Sequence, residues 1–193
     1  MSTIIGISGS HRSDSNANRL LGYALEKLSD KHTTELVSLL DIDIACRGCD
    51  ACFADYAFHK DALALVHERM LKADAFVISS PTYFGMPSGL TKTLMDRTNS
   101  IWLAKLFKGK IGAAIVSGAS RFGAIEMNAK NILHFFHDHE MICVPFYACF
   151  NSAIKHDHER FPEPLAMAFT EPLDKLVAEI DALLSRSTPS PKS

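Results

Sequence analysis

The chain has 193 residues, 47% hydrophobic and 22% charged, with a formal net charge of −2, a length that suits one large domain able to bury roughly 70% of its unfolded surface. Near-neutral charge without a basic block argues against a nucleic-acid partner, and no apolar run is long enough to span a membrane. Five cysteines, an odd number, do not read as a disulfide framework.

No basic segment leads into an apolar one at the N-terminus, so the expected location is cytoplasmic. Residues 2–8, STIIGIS, are β-branched and bounded by Gly and Ser, which predicts a buried strand. A helix is predicted over 15–28, with Leu20, Leu21, Ala24 and Leu28 on one face and Ser15 or Asn16 as its cap. A second strand is expected at 33–41, a helix at 61–74, and a strong strand at 75–81 ended by Pro81. Helix follows at 88–100, strand at 110–118, helix at 124–139, strand at 141–147 cut short by Pro145, and a last helix at 165–185. Residues 186–193 are a Ser/Pro tail without core residues, expected to be disordered, which leaves one domain over 1–185.

Nearly all-apolar strands alternating with helices predict a parallel sheet covered on both faces. Five such strands with right-handed crossovers fit an α/β, flavodoxin-like, doubly wound sheet of order 2-1-3-4-5. In that arrangement ligands bind beyond the carboxyl ends of the strands, where the winding direction reverses.

The stretch GISGSHRSDSNANRLL (6–21) falls at that point. It contains neither a G-x-x-x-x-G-K-[ST] nor a G-x-G-x-x-G pattern, which excludes the two commonest phosphate loops. What remains is a cluster of hydroxyl and amide donors at a helix N-terminus, suited to a phosphate dianion, with Ser10, Arg12, Ser15, Asn16 and Asn18 as donors. An ordinary N-cap would need only one of them. After the third strand, SSPTYFGMPSG (79–89) offers the flat faces of Tyr83 and Phe84 and a close backbone approach at Gly85, which suits a planar heteroaromatic ring. After the fourth, SGASRFGA (117–124) combines small residues with Arg121; alone it reads equally as a Gly-rich turn.

CRGCDAC places Cys46, Cys49 and Cys52 at C-x2-C-x2-C spacing. An iron–sulfur cluster with an unusual fourth ligand, free thiols, and a redox or zinc site all stay open. The pairs His134/His137 and His156/His158 look like solvated surface, and Asp96 with Arg97 reads as a structural ion pair or an inter-subunit contact.

Taken in order, GISGSHRSDSNANRLL, CRGCDAC, KADAFVISSPTYFGMPSGLTKTLMDR and SGASRFG resemble the flavodoxin-like NADPH-dependent FMN reductases, in particular their iron–sulfur flavoprotein branch. The resemblance spans about residues 3–150 and implies FMN as cofactor and NAD(P)H as co-substrate. It sets Ser10, Arg12, Ser15, Asn16, Ala17 and Asn18 around the phosphate. Pro81, Thr82, Tyr83, Phe84 and Gly85 fall around the isoalloxazine, with Ser117, Ser120, Arg121 and Gly123 in a third ring-contacting loop. His11 stands where the family usually has Pro. The branch adds a fourth cysteine soon after the third, where this chain has Phe58 and His59. The implied activity is NAD(P)H-dependent reduction of flavin, a quinone or another small acceptor by flavin-centred chemistry without a side-chain acid or base. The alternative is an electron carrier fed by a protein such as ferredoxin. The implied assembly is a homodimer or homotetramer.

Overall fold

A computed structural model describes residues 1–119, 124–151, 165 and 167–187. In chain order the elements are β1 (Thr3–Ser8), α1 (Asn16–Ser29), β2 (Thr33–Ser38), α2 (Ala51–Ala54), α3 (Ala62–Lys72), β3 (Ala75–Tyr83), β4 (Met86–Pro87), α4 (Gly89–Asp96), α5 (Asn99–Leu103), β5 (Ile111–Gly118), α6 (Ile125–Asp138), β6 (Ile142–Cys143), β7 (Ala148–Asn151) and α7 (Met167–Ser187). Successive strand residues point to opposite faces, and both faces of β1, β3 and β5 are apolar, so the sheet must be covered twice. On one face Ile4, Val77 and Ile115 pack under Leu20, Leu21 and Leu28 of α1 and Leu173, Leu176 and Ile180 of α7. On the other, Ile7, Phe76, Ile78 and Val116 pack under Leu63 and Met70 of α3, Leu94 of α4, Ile101 of α5 and Ile132 and Phe136 of α6.

The sheet runs β2-β1-β3-β5-β6 in parallel, with β7 also parallel to β5 and β4 antiparallel to β3. This is the expected flavodoxin-like order 2-1-3-4-5, with the fifth strand in two pieces. Pairing stops at Cys143 and resumes at Ala148 because Pro145 has no N–H to give the ladder. The helix expected over 88–100 is likewise two. Thr98 turns its hydroxyl back onto the Met95 carbonyl at 2.8 Å, offering that carbonyl a partner other than the next helical N–H. α7 continues to Ser187, two residues past the expected end.

The parallel register brings three strand ends level. Ser8 of β1 lies opposite Ser38 and Ser79, and Pro81 opposite Ser117. The loops after β1, β3 and β5 therefore leave the sheet at one end. A cavity of about 370 Å³ lined by Trp102, Leu103, Lys105, Asp138, His139 and Glu140 lies at the other end, before the amino ends of β5 and β6. Among the described residues no helix is long and apolar enough to cross a membrane.

Candidate cofactor site

The loop between β1 and α1 is built by its own side chains. Ser15 caps α1, its Oγ accepting from the Asn18 N–H at 3.1 Å. Asn18 then reaches back: its Nδ2 donates to the carbonyls of Arg12 (3.2 Å) and Ser13 (2.7 Å), and its Oδ1 accepts from the Ser8 hydroxyl. Ser10 N–H donates to Ser8 Oγ (3.4 Å), and Arg12 N–H to Ser10 Oγ (3.2 Å). Asn18 is therefore fully engaged in shaping the loop. Ser10 and Ser15 accept in these bonds and each keeps its own O–H to donate. No acidic residue stands in the first turn of α1, and Lys27 stands in its last, so the positive dipole end faces the loop uncompensated from within the helix.

Beneath this loop lies a hydroxyl floor. Ser79, on β3, donates to the carbonyl of buried Ala17 at 2.9 Å, and its own carbonyl accepts from Gly9 N–H at 2.9 Å. Ser88 caps α4, accepting from Thr91 N–H at 3.1 Å, and donates to the Gly9 carbonyl. The packing is so close that a Cβ on Gly9 would stand 1.7 Å from Thr91 Oγ1. Gly9 is required by space, not by its dihedrals.

The second loop is a hairpin. Thr82 and Tyr83 of β3 pair with Pro87 and Met86 of β4, and the two linking residues, Phe84 and Gly85, have φ of 51° and 76°. Two left-handed residues in a two-residue hairpin make a type I′ turn. Phe84 is fully exposed at its tip, and Tyr83 is about half exposed. The His11 ring meets the Tyr83 ring edgewise, centroids 6.3 Å apart, so the hairpin and the loop after β1 adjoin. The hairpin is anchored by Asn128 of α6, fully buried, whose Nδ2 donates to the Pro81 carbonyl (3.1 Å) and to Thr82 Oγ1 (2.9 Å). Among the described residues its Oδ1 has no partner. In the third loop Ser117 is buried opposite Pro81; Ser120, Arg121 and Gly123 lie outside the described residues.

Ser79, Ser88 and Asn128 are the residues that sequence reasoning missed. The Ser-Gly-Leu-Thr run at 88–91 carried a capping signal for Ser88. For Asn128 there was none beyond a polar residue at a buried helical position.

The three clustered cysteines form a separate place. Cys46 and Cys49 are exposed and Cys52 is buried; Gly48 (φ 61°) and Asp50 (φ 57°) turn the chain between them. Among the described residues no three His, Cys, Asp or Glu side chains stand together in a group able to hold a metal ion. Cys143 and Cys149 sit on β6 and β7, at the sheet edge opposite β2, and burial pushes their thiols up to about 11 and about 12. Both stand on strands of the sheet, apart in the chain from the cysteine loop. Asp96 and Arg97 do not pair with each other: Asp96 bonds Lys92 one turn away, and buried Arg97 bonds Asp61, the cap of α3. Burial raises the Asp61 carboxyl, but the hydrogen bond and charge of Arg97 outweigh it and hold the group below its usual range. His134 lies 3.6 Å from the exposed Asp138 carboxylate, as expected of surface; His156 and His158 lie outside the described residues.

A doubly wound parallel sheet with a donor-rich loop and an aromatic hairpin at its carboxyl end defines a flavodoxin-like domain. The sequence pattern of the NADPH-dependent FMN reductases matches residues 2–155, and the chain belongs to that family, placing it among FMN-binding oxidoreductases. It is 35% identical over 144 residues to an iron–sulfur flavoprotein of Methanocaldococcus jannaschii, covering 73% of this chain and 75% of that one. An iron–sulfur flavoprotein of Methanosarcina thermophila is 34% identical over 147 residues, with 73% and 76% covered. The fold is similar to the crystal structure of an apo NADH:FMN oxidoreductase, with a TM-score of 0.73 at 18% identity over 99% of this chain and 92% of that one.

Proposed function

We propose that the chain binds FMN across the loops after β1, β3 and β5 and uses it to carry electrons from NAD(P)H to a small acceptor such as a quinone or free flavin. The carrying observation is the juxtaposition, through His11 and Tyr83, of a donor loop at a helix N-terminus with an exposed aromatic hairpin. Such a pair suits a ligand with a dianion at one end and a flat ring at the other. Ser10, Arg12, Ser15 and Asn16, with the N–H groups opening α1, would hold the phosphate, while Ala17 packs the helix close beneath. Asn18 acts one step back by fixing the loop. Pro81, Thr82, Tyr83, Phe84 and Gly85 would border the ring, with Ser117 and, by the family resemblance, Ser120, Arg121 and Gly123 along its far side. FMN held there would supply the two-electron redox chemistry between a nicotinamide and the acceptor, while the chain binds and orients it.

The fit rests on the chain itself: the loop is already folded around its future anion by Asn18, and the unpartnered Oδ1 of Asn128 lies on the residue that braces the ring loop. Tyr83, Phe84, Met86 and Met127 leave an apolar margin exposed around that loop, which a second copy of the chain would cover in the dimer or tetramer that the resemblance implies. The cysteine loop offers three thiolates, one short of the four that an iron–sulfur cluster takes from a protein.

Titration of the purified chain with FMN and with riboflavin, followed by anaerobic mixing of the FMN-loaded protein with NADPH or NADH, tests the reading. Tight FMN binding, weaker riboflavin binding and bleaching of the flavin by a nicotinamide support it. A flavin that binds but stays yellow makes the protein a carrier fed by another protein, and a chain that takes up no FMN overturns the reading.

A further inference from the structure

Resting on the FMN reading above, we propose that Asn128 is a positioning residue of the flavin site. It locks the hairpin to α6 and leaves the Thr82 hydroxyl proton to be donated to the ring, which raises the reduction potential of the flavin. Asn128 is the one polar residue among the buried residues of α6, and it is fully buried. Its orientation follows from its partners. The Pro81 carbonyl can only accept, so the amide edge against it is Nδ2, at 3.1 Å, and the same Nδ2 reaches Thr82 Oγ1 at 2.9 Å. That choice strands Oδ1, buried with no partner among the described residues. An apolar side chain would fill the place without an orphaned oxygen, so stability alone does not call for an amide here.

The two bonds of Nδ2 decide which group the hairpin offers. The Pro81 carbonyl also accepts from Ser80 Oγ at 2.9 Å, so both its lone pairs are taken and it has nothing left for a ligand. Thr82 Oγ1 accepts from Asn128, and its own proton meets no acceptor among the described residues. Thr82 is only partly buried at the carboxyl end of β3, and its Cβ lies 3.5 Å from where a Cβ on Gly118, the end of β5, would stand. The proton is thus free at the end of the sheet where the ring would lie.

The rest of the hairpin is held by the same side of α6. A Cβ on Gly85 would stand 3.2 Å from Ala124 Cβ, and Asn131 Nδ2 donates to Met86 Sδ at 3.3 Å. Residues 124, 128 and 131 share one helical face, so helix and hairpin form one body and the hydroxyl keeps its aim. A donor facing the ring interacts more strongly with the electron-rich reduced form than with the oxidised one, and so favours reduction.

The reduction potential of bound FMN, together with hydrogen exchange of the flavin-free chain, tests the proposal. Thr82→Val keeps the shape and removes the hydroxyl. It should weaken reduced FMN about tenfold more than oxidised FMN, a fall of about 30 mV for a two-electron couple. Thr82→Ser, which keeps the hydroxyl, should keep the wild-type potential. Asn128→Ala should lower the potential as far as Thr82→Val and add nothing to it in the double variant. In the flavin-free chain it should speed exchange at the amides of residues 83–86 more than at those of α1. Asn128→Leu refills the space: it should resist urea better than Asn128→Ala yet share its lowered potential. An unchanged potential in both Asn128 variants, independent shifts in the double variant, or a potential that follows urea resistance overturns the proposal and leaves the FMN reading intact. A wild-type chain that takes up no FMN overturns both.

Discussion

Two loops of this molecule carry clustered polar chemistry, and they are built in opposite ways. The loop after β1 is closed on itself: one amide, that of Asn18, meets Ser8, Arg12 and Ser13, and Ser79 and Ser88 secure it from below. The segment from Leu39 to Lys60 has few such ties; Cys46 and Cys49 are exposed, and its one short helix, α2, lacks a side-chain cap. A loop that is folded before its ligand arrives loses little entropy on binding, whereas one that folds around its ligand must offset that ordering with strong bonds. Hydrogen-bond donors suffice for an anion in the first case.

The largest test of this contrast is acid. His67 and His139 sit in the layer on which the cysteine segment rests, and burial lowers both to about 4; His67 is held by the Leu94 carbonyl, at 3.3 Å. Unfolded histidines take their protons near 6.5. Between those values the unfolded chain binds more protons than the folded one, so stability falls as pH drops from about 6.5 to 4, by up to about 3 kcal/mol per histidine. Hydrogen exchange at pH 7 and pH 5 should show the amides of α3 and α4 loosening well before those of α1. Equal loosening of both sides would erase the distinction.

Asp61→Ala strikes the same side with a smaller expected effect. It leaves the Arg97 guanidinium buried without its carboxylate, and with Asp61 itself partly exposed the loss should be about 3 kcal/mol in urea unfolding. Asp61→Asn, which keeps hydrogen-bond acceptance, should lose distinctly less. The same low carboxylate pKa means that the pair's stabilisation is fully present above the ordinary carboxylate range and is lost below it, as pH falls through the lowered value.

On the other loop, Asn18→Ala removes three side-chain bonds at once and should weaken FMN by about 2–3 kcal/mol while affecting riboflavin less, since riboflavin lacks the phosphate. A fluorescence titration with both flavins decides; parallel losses would move Asn18 from the phosphate loop to general stability. Tyr83→Ala should weaken the two flavins alike, by about 1–2 kcal/mol, having lost ring contact but no phosphate donor. The smallest effect belongs to Cys49→Ser, which should change FMN affinity by less than about 0.5 kcal/mol, because Cys49 is an exposed thiol whose partner, His59, lies within its own segment.

The strands and the long helices were legible because their apolar residues recur at periods of two and 3.6, and the winding order followed from alternation alone. What was illegible came from single atoms acting at a distance in sequence. The hydroxyl of Thr98 divided α4 from α5, and Pro145 interrupted the last strand at a place the apolar run only hinted at. In the site, the donor loop could be read as donors but not as a structure: nothing in the sequence said that Asn18 would face inward and Ser10 and Ser15 would keep their protons. Asn128, forty-odd residues from the hairpin it braces, leaves no local signal at all. The Cys49–His59 approach lies between the two cases, for the family resemblance drew attention to residues 58 and 59 and only the fold brought the imidazole to the sulfur.

The broken fifth strand bears on how this protein behaves in a crowded solution. A sheet ends in two free margins, and a long one is a template on which another chain can add itself. Here the β6 margin offers Ile142 and Cys143, then a segment containing Pro145, before β7 resumes with four residues. At the other margin β2 is six residues long, and its Glu35 is held by Arg69 at 2.9 Å, keeping charge where an incoming strand would pack. Straightening the first margin by Pro145→Val should leave the chain folded yet raise its tendency to form β-rich aggregates on warming, readable as light scattering and thioflavin fluorescence; the interruption guards against self-association before it serves anything else.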